Sequence, residues 1–535
     1  MTTGRPPPAG RSGERLDPVT LQVLIGALRA ACEEMGAVLV RAAHSANIKE
    51  RRDCSTALFA AHGELVMQAE HIPVHLGSMP DAVAAVLDRD HRPGDVWILN
   101  DPYRGGTHLP DITLISPIFA PAAAAAAPGS ASGDQPRELL GFAASRAHHA
   151  DVGGPTPAGM PVASTRLEDE GVVIAPTRAG DEDLARIAAE MRNPPQRLAD
   201  LRAQRAANLT GERRLLELAG KFGIGPLRAA SDEILDYAER RTRAKLAELP
   251  DGTYEAEDVM EDDAGGELRD IRLRVSATIS GERLTLDFTG TDPQVQGNLN
   301  CPLPVTKSAA YFAVRVLTDP DGPPSAGAFR PVEVIAPHGC LLNARAPAAV
   351  AAGNVETSSR VADLVMDALA DAAPAPAQGQ GTMNNLTLAG GGFTYYETVG
   401  GGQGACPEAN GPSAVHVAMS NTLNTPVEAL ETEFPVRVGE LSLRRGSGGC
   451  GRRRGGDGIV RELEALAPMS FTLITERRRH APRGRAGGAD GEPGRNLLNG
   501  EPLPSKTAGE LRPGDRLRLE TPGGGGYGRP DAPRE

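Results

Sequence analysis

Residues 95–119 read DVWILNDPYRGGTHLPDITLISPIF. Two apolar runs, 95–99 and 112–119, flank a segment crowded with Asp, Pro, Gly and His. Short apolar runs bounded by turn residues predict buried strands. The loop from Asn100 to Asp111 therefore starts at the C-terminal end of a strand, and it carries Arg104, His108 and Asp111.

Upstream the pattern is helical. Asp17 precedes Pro18, the arrangement of an N-cap followed by proline at the first helical position. Leu21, Leu24, Ile25, Leu28, Cys32, Met35 and Leu39 then recur at spacings of three and four, one face of a long amphipathic helix. Residues 56–70 predict a hairpin turning at His62-Gly63, and 81–87 a short helix. Downstream, 121–138 (PAAAAAAPGSASGDQPRE) is low-complexity sequence, expected to be a solvated loop inserted between two strands. A strand over 139–145 follows. Helical pattern covers 181–221, broken at Asn193-Pro194-Pro195, and 227–249.

After Pro250 strand-like runs dominate (253–260, 267–279, 283–288), with helices over 305–317 and 359–371. The last hundred residues, with RRGSGGCGRRRGGDG and TPGGGGYG, read as all-β with tight turns. The expected fold is mixed α/β (α+β) in several parts. These are a disordered tail (1–16), a mixed α/β metal-binding part (17–250, insertion 121–138) and a β-rich part (251–535).

Composition narrows the function. The 535 residues hold 56 Lys+Arg against 69 Asp+Glu, net charge −13, so no basic surplus calls for nucleic acid or an anionic membrane. Aromatics at 3% argue against base stacking. The first sixteen residues contain no apolar stretch resembling a signal peptide, and no run approaches a membrane span. The six cysteines are far apart and form no C-x-x-C pair, which disfavours both a disulfide framework and a thiolate zinc site. A cytoplasmic protein is the expectation.

Several motifs do not survive scrutiny. Gly523, Gly525 and Gly528 match G-x-G-x-x-G, but no helix can follow them. The stretch from Asp287 to Asp292 superficially resembles a phosphate loop of actin-like ATPases, yet a strand end followed by an Asp/Gly turn explains it. No G-x-x-x-x-G-K-[ST] occurs. Arg477, Arg478, Arg479 and His480 are expected on a solvated or partner-facing surface.

The histidines are informative. Of 11, eight precede residue 150: 44, 62, 71, 75, 91, 108, 148 and 149. Three turn-rich segments combine ligand-type side chains: ERRDCS (50–55), NDPYRGGTHLPD (100–111) and RAHHADVGG (146–154). Two of them follow strands, so His and Asp from different strand ends can converge. Imidazole and carboxylate suit Zn²⁺, Mn²⁺ or Fe²⁺. Neighbours on extended backbone point opposite ways, so at most one of His148 and His149 faces a given ion. His148 and Asp151 can both reach one across a turn. His62, His71, His75 and His91 are expected as ordinary loop histidines, with His71 and His75 able to line the site.

The stretches NIKERRDCSTALFAAHGELVMQAEHIPVHLGSMP, GDVWILNDPYRGGTHLPDITLISPIF and FAASRAHHADVGG resemble the hydantoinase B/oxoprolinase family. So do DFTGTDPQVQGNLNCPL, AGNVETSSRVADLV, RRGSGGCGRRRGGDGIVRE and TPGGGGYG. The resemblance covers nearly the whole chain. It implies an ATP-dependent hetero-oligomer in which a separate A-type chain with an actin-like ATPase fold phosphorylates a small-molecule substrate. The B-type chain then opens a lactam, hydantoin or oxoproline-like ring at a divalent metal. The same resemblance leaves carboxylation of a ketone as an alternative, and a non-catalytic subunit with a structural metal as another. It implies Asp53, His108, His148 and Asp151 as metal ligands, with Asp111 and His149 orienting them or accepting a proton and Arg104 holding phosphate or carboxylate.

Overall fold

The computed structural model describes residues 16–70, 72–121, 137–262 and 269–530. The expected tail and insertion thus fall almost wholly outside the described residues, as does His71. The helix announced by Asp17 is α1 (Pro18–Ala42). The Asp17 carboxylate accepts from the Val19 and Thr20 amides at 3.0 Å, and all seven apolar positions named above are buried. After the short α2 (Ala46–Lys49) comes the hairpin of β1 (Cys54–Ala60) and β2 (Leu65–Glu70), turned at Gly63 with φ 85°. The short helix is α3 (Met79–Ala84).

With β3 (Trp97–Leu99), β4 (Asp111–Phe119), β5 (Leu139–His148) and β6 (Thr177–Arg178), these strands form one antiparallel sheet in the order β2-β1-β5-β4-β3-β6. The helices α4 (Asp181–Ala189), α5 (Pro194–Phe222) and α6 (Ile224–Ala247) follow, α5 starting at the expected Asn193-Pro194-Pro195 break. Both sheet faces are covered. Leu58 and its cross-strand partner Ala143 pack with Leu24, Leu28, Met35 and Ala207 from α1 and α5. Phe59 and its partner Phe142 pack on the other face with Met79 and Val83 of α3. With both faces buried, β1 and β5 show no alternation of apolar and exposed polar residues; even Ser55, Thr56, Ser145 and Arg146 are enclosed.

Beyond residue 250, β7 (Gly252–Asp262), β8 (Arg269–Ser280), β9 (Arg283–Asp287) and β10 (Val332–Ile335) form a second sheet, order β10-β9-β8-β7. It packs on α7 (Leu303–Thr318) and α8 (Ser358–Ala368). That apolar cluster also takes in Ile72, Val74, Ala158, Met160 and Leu246, so it crosses the position where the sequence changes character. The Asp287 carboxylate accepts from the Thr289 amide and hydroxyl, the turn expected after a strand.

Two further sheets share one core. One contains β11 (Asn385–Gly390), β12 (Phe393–Glu397), β15 (Met469–Ile474) and β18 (Lys506–Leu511), order β12-β11-β15-β18. The other contains β13 (Val436–Arg444), β14 (Gly458–Ala465), β16 (Arg495–Leu498), β17 (Glu501–Leu503) and β19 (Arg516–Glu520), order β13-β14-β19-β16-β17. Leu388, Tyr395 and Phe471 of the first meet Leu463, Leu517 and Leu519 of the second, with α9 (Val427–Glu433) adding Leu430. The fold is mixed α/β, with nine helices and four sheets among the described residues. No described helix is long and apolar enough to cross a membrane.

Two expectations are corrected. The glycine-rich segments near 447–456 and 521–528 are not simply tight turns; they lie against one another as hydrogen-bonded lengths of chain. The Gly449 amide donates to the Gly524 carbonyl, Gly524 to Gly456, and Gly456 to Gln403, at 2.8–2.9 Å. A Cβ on Gly455 or Gly524 would overlap a neighbouring carbonyl, so side chains are excluded by proximity and not by turn geometry. The basic run at 477–480 is a solvated face only in part: Arg479 is exposed and His480 half-buried, whereas its first residue is enclosed. Arg477 is buried between Asp258 and Asp363, and Glu261 accepts from the amides of Arg478, Arg479 and His480.

Candidate metal centre

Asn100 ties the two ends of the loop 100–110 together, and Arg146 braces its middle by donating to the Gly105 carbonyl. Asn100 Nδ2 donates to the carbonyls of Leu109 (2.8 Å) and Val172 (2.9 Å), and its Oδ1 accepts from the Ile174 amide (2.6 Å). Gly106 lies against the Asn100 carbonyl, where no Cβ fits. The loop delivers His108 three residues before Asp111, the first residue of β4. In the β4–β5 register Asp111 stands directly opposite His148, the last residue of β5. Two paired strand ends and a turn thus bring three side chains to one point.

There the geometry is tight. His108 Nε2 lies 3.1 Å from Asp111 Oδ1 and 3.2 Å from His148 Nδ1, and His148 Nδ1 lies 3.2 Å from Asp111 Oδ1. All three residues are buried. Atoms each about 2.0–2.1 Å from a common ion stand roughly 2.8–3.4 Å apart in octahedral or tetrahedral geometry. The triangle therefore fits a divalent cation. Two imidazoles and a carboxylate also form the donor set of the facial triad.

The triangle borders a cavity of about 20 Å³, room for one water-sized occupant. Asp53, His75, Asn354, Val355, Met383, Tyr396, Thr398 and Thr422 share its lining. Asp53 follows Arg52, whose φ of 55° turns the chain sharply, and the Asp53 carbonyl accepts from the His148 amide at 3.0 Å. Asp111 Oδ2, the oxygen not in the triangle, accepts from Thr107 Oγ1 (2.8 Å) and Asn354 Nδ2 (3.4 Å). The Tyr396 ring stacks on His148 at 4.8 Å and 13°, and the Arg51 guanidinium lies 5.1 Å from the Tyr396 ring centroid. Arg51 is fully buried and donates to the Tyr396 carbonyl and to the Thr398 and Thr422 hydroxyls.

The electrostatics suit a cation. Burial alone would raise the Asp111 carboxyl, but the charge on His108 and hydrogen bonds from His108, His148 and His75 hold it well below the usual carboxylate range. Burial lowers His148, favouring the neutral ring that coordinates. Burial pushes Glu356 up to about 7; it sits in the π-helical turn Gly353–Thr357 that carries Asn354.

The expected residues are distributed as follows. His108, Asp111 and His148 come together, and Asp53 faces the same cavity. Asp151 does not join the triangle. Its carboxylate accepts from the Gly153 and Ala158 amides, Thr394 Oγ1 and Arg192 Nη1, and so fixes the loop after β5. His149 turns the other way to Gln204 Oε1 at 2.9 Å, and burial lowers it to about 4. Arg104 is largely exposed beside Asp101. His62 bonds Glu64, and His91 accepts from Trp97. Asn354 and Tyr396, far away in the sequence, were not singled out; their one available signal was the AGNVETSSRVADLV stretch around Asn354.

A buried His/His/carboxylate triangle stands at paired strand ends in a mixed α/β fold, with donor atoms spaced as a metal ion needs. Known proteins narrow it further. The chain belongs to the hydantoinase B/oxoprolinase family, whose model matches residues 17–530. It is 38% identical over 533 residues to an uncharacterised protein of Methanocaldococcus jannaschii, covering 96% of this chain and 91% of that one. It is 38% identical to 5-oxoprolinase 1 of Arabidopsis thaliana, covering 96% of this chain but 42% of that protein. A protein of Pseudomonas sp. strain NS671, provisionally named as the B-type chain of a D-/L-hydantoinase, is 31% identical, over 97% and 91% of the two chains. The chain thus spans about two-fifths of the 5-oxoprolinases it matches.

Among solved structures, the ATP-dependent caprolactamase of Pseudomonas jessenii superposes with a TM-score of 0.87 at 30% identity, over 97% and 93% of the chains. Acetone carboxylase superposes at 0.83 with 17% identity, over 96% and 76%, which shows a shared fold.

Proposed function

We propose that this chain is the B-type, ring-opening component of an ATP-dependent cyclic-amide hydrolase, with His108, Asp111 and His148 holding a divalent cation and Asp53 available as a fourth ligand. The observation that carries this is the triangle itself, three buried donor atoms 3.1–3.2 Å apart. Zn²⁺, Mn²⁺ or Fe²⁺ there would supply Lewis acidity and a water more acidic than in bulk. In this reading Asp111 is a ligand and not the proton acceptor, and Asp151, His149 and Arg104 are structural or surface residues.

The chemistry needs two parts. A lactam or cyclic imide is a poor electrophile because nitrogen donates into the carbonyl. O-phosphorylation converts it to an imidate-like phosphate whose carbon is a better electrophile; water adds there, the ring C–N bond breaks with a proton passing to nitrogen, and a second water hydrolyses the resulting acyl phosphate to carboxylate and phosphate. In this reading an A-type, actin-like ATPase partner carries out the phosphorylation, and the assembly is a hetero-oligomer. Buried walls around the triangle exclude bulk water, and stacking by Tyr396 fixes the His148 ring plane. The names 5-oxoprolinase, hydantoinase and caprolactamase among the relatives support amide hydrolysis, and 30% identity to caprolactamase against 17% to acetone carboxylase favours it over ketone carboxylation.

The test is co-purification with an A-type chain, then a screen of 5-oxoproline, hydantoin, caprolactam and acetone with ATP. The reading expects ring opening that requires both chains. Turnover of the cyclic amides by this chain alone without ATP, or of acetone only, would overturn it.

A further inference from the structure

His75 has no part in the reading above, yet it is fully buried at the end of the turn Pro73–His75. Its Nδ1 lies 2.9 Å from Ser55 Oγ on β1. Its Nε2 lies 3.4 Å from Asp111 Oδ2 and has no closer polar partner among the described residues. An ionised carboxylate can only accept, so a hydrogen bond across this short gap requires the hydrogen on Nε2. In the neutral ring Nδ1 is then an acceptor, and the Ser55 hydroxyl donates to it. Ser55 supports that tautomer and holds the ring in place, with its hydroxyl 2.9 Å from Nδ1.

The Asp111 carboxylate can rotate about its last bond. Thr107 and Asn354 donate to Oδ2 and His75 Nε2 faces the same oxygen at 3.4 Å, which leaves Oδ1 for His108 and His148. The geometry points to His75 as a positioning residue for the metal centre, acting through Asp111 and held by Ser55. This rests on the metal reading of the triangle. It assigns a purpose to a histidine that spacing alone leaves as an ordinary loop residue. Partners behind a ligand commonly matter by 10–100-fold in metal affinity.

The experiment is equilibrium dialysis of Mn²⁺ and of Zn²⁺ against chelator-stripped full-length chain, with thermal midpoints recorded alongside. The proteins are wild type, His75→Gln, His75→Asn, Ser55→Ala and His108→Ala. A Gln amide nitrogen falls near the position of Nε2, whereas an Asn amide nitrogen falls near Nδ1. The expected result is His75→Gln within about threefold of wild type and His75→Asn weaker by roughly 10–100-fold. Ser55→Ala is expected to weaken binding by a smaller factor. Equal affinities for all His75 variants, or equal losses in Gln and Asn, would overturn the proposal, the latter by showing a packing role. Should His75→Asn fail to fold, Ser55→Ala decides, and unchanged affinity there overturns it. A wild type that binds no more tightly than His108→Ala removes the metal reading itself, and His75 with it.

Discussion

Glu170 is fully buried and accepts from Ser164 Oγ (2.9 Å) and the amides of Val350 (3.1 Å) and Ala351 (2.9 Å), fastening the 164–170 segment to the chain just before the Asn354 turn. All three donors reach Oε1, and the Val350 amide lies equally close, at 3.1 Å, to Oε2. Burial outweighs them and pushes the carboxyl from 4.5 up to about 7. At about 1.4 kcal/mol per tenfold, that displacement is worth roughly 3 kcal/mol. The folded-state value lies above the unfolded one, so the contribution is complete below pH 4.5 and is lost as pH rises through about 7. Glu170→Gln keeps Oε1 and cannot ionise. Wild type and variant should therefore have similar thermal midpoints near pH 5, while at pH 8 the variant should melt on the order of a few degrees higher. Matched scans at pH 5, 6, 7 and 8 test this. A variant less stable at pH 8 than at pH 5, relative to wild type, would show that the carboxylate is charged and held by its donors, refuting the argument.

Two further outcomes follow from packing and from the loop after β5. Gly524→Ala places a methyl group against the Gln403 carbonyl; overpacking of this kind costs about 1–3 kcal/mol or more, so a lowered thermal midpoint or insoluble protein is expected. Asp151→Ala leaves the Gly153 and Ala158 amides without their acceptor and removes the carboxylate partner of Arg192, so stability should fall by about 1–3 kcal/mol while metal content stays at the wild-type level; loss of metal without loss of stability would make Asp151 a ligand.

The elements legible in the sequence are those governed by local pattern. The α1 stripe and its Asp17 cap, the β1–β2 hairpin and the strands flanking 100–110 all follow from spacing of three and four or from runs between turn residues. His108 and His148 stood out for the same local reason, as ligand types beside strand ends. Asp111 against Asp151 was not decidable that way. Asp151 is three residues from His148 in the chain, but Asp111 is its cross-strand neighbour, and antiparallel register is set by a pairing across an insertion. Tyr396 and Asn354 reach the cavity through the packing of β12 and the π-helical turn, contacts that no local window contains. The C-terminal glycines misled for another reason: glycine marks both turns and places where two backbones touch, and only the fold tells them apart.

The central claim is that His108, Asp111 and His148 form a divalent metal centre. Elemental analysis of the purified chain, alongside His108→Ala, Asp111→Ala and His148→Ala variants with unchanged thermal midpoints, tests it most directly. The account predicts about one bound transition-metal ion per wild-type chain and well under half that in each variant. Full occupancy in all three variants, or none in wild type after supply of Zn²⁺, Mn²⁺ and Fe²⁺, would contradict it.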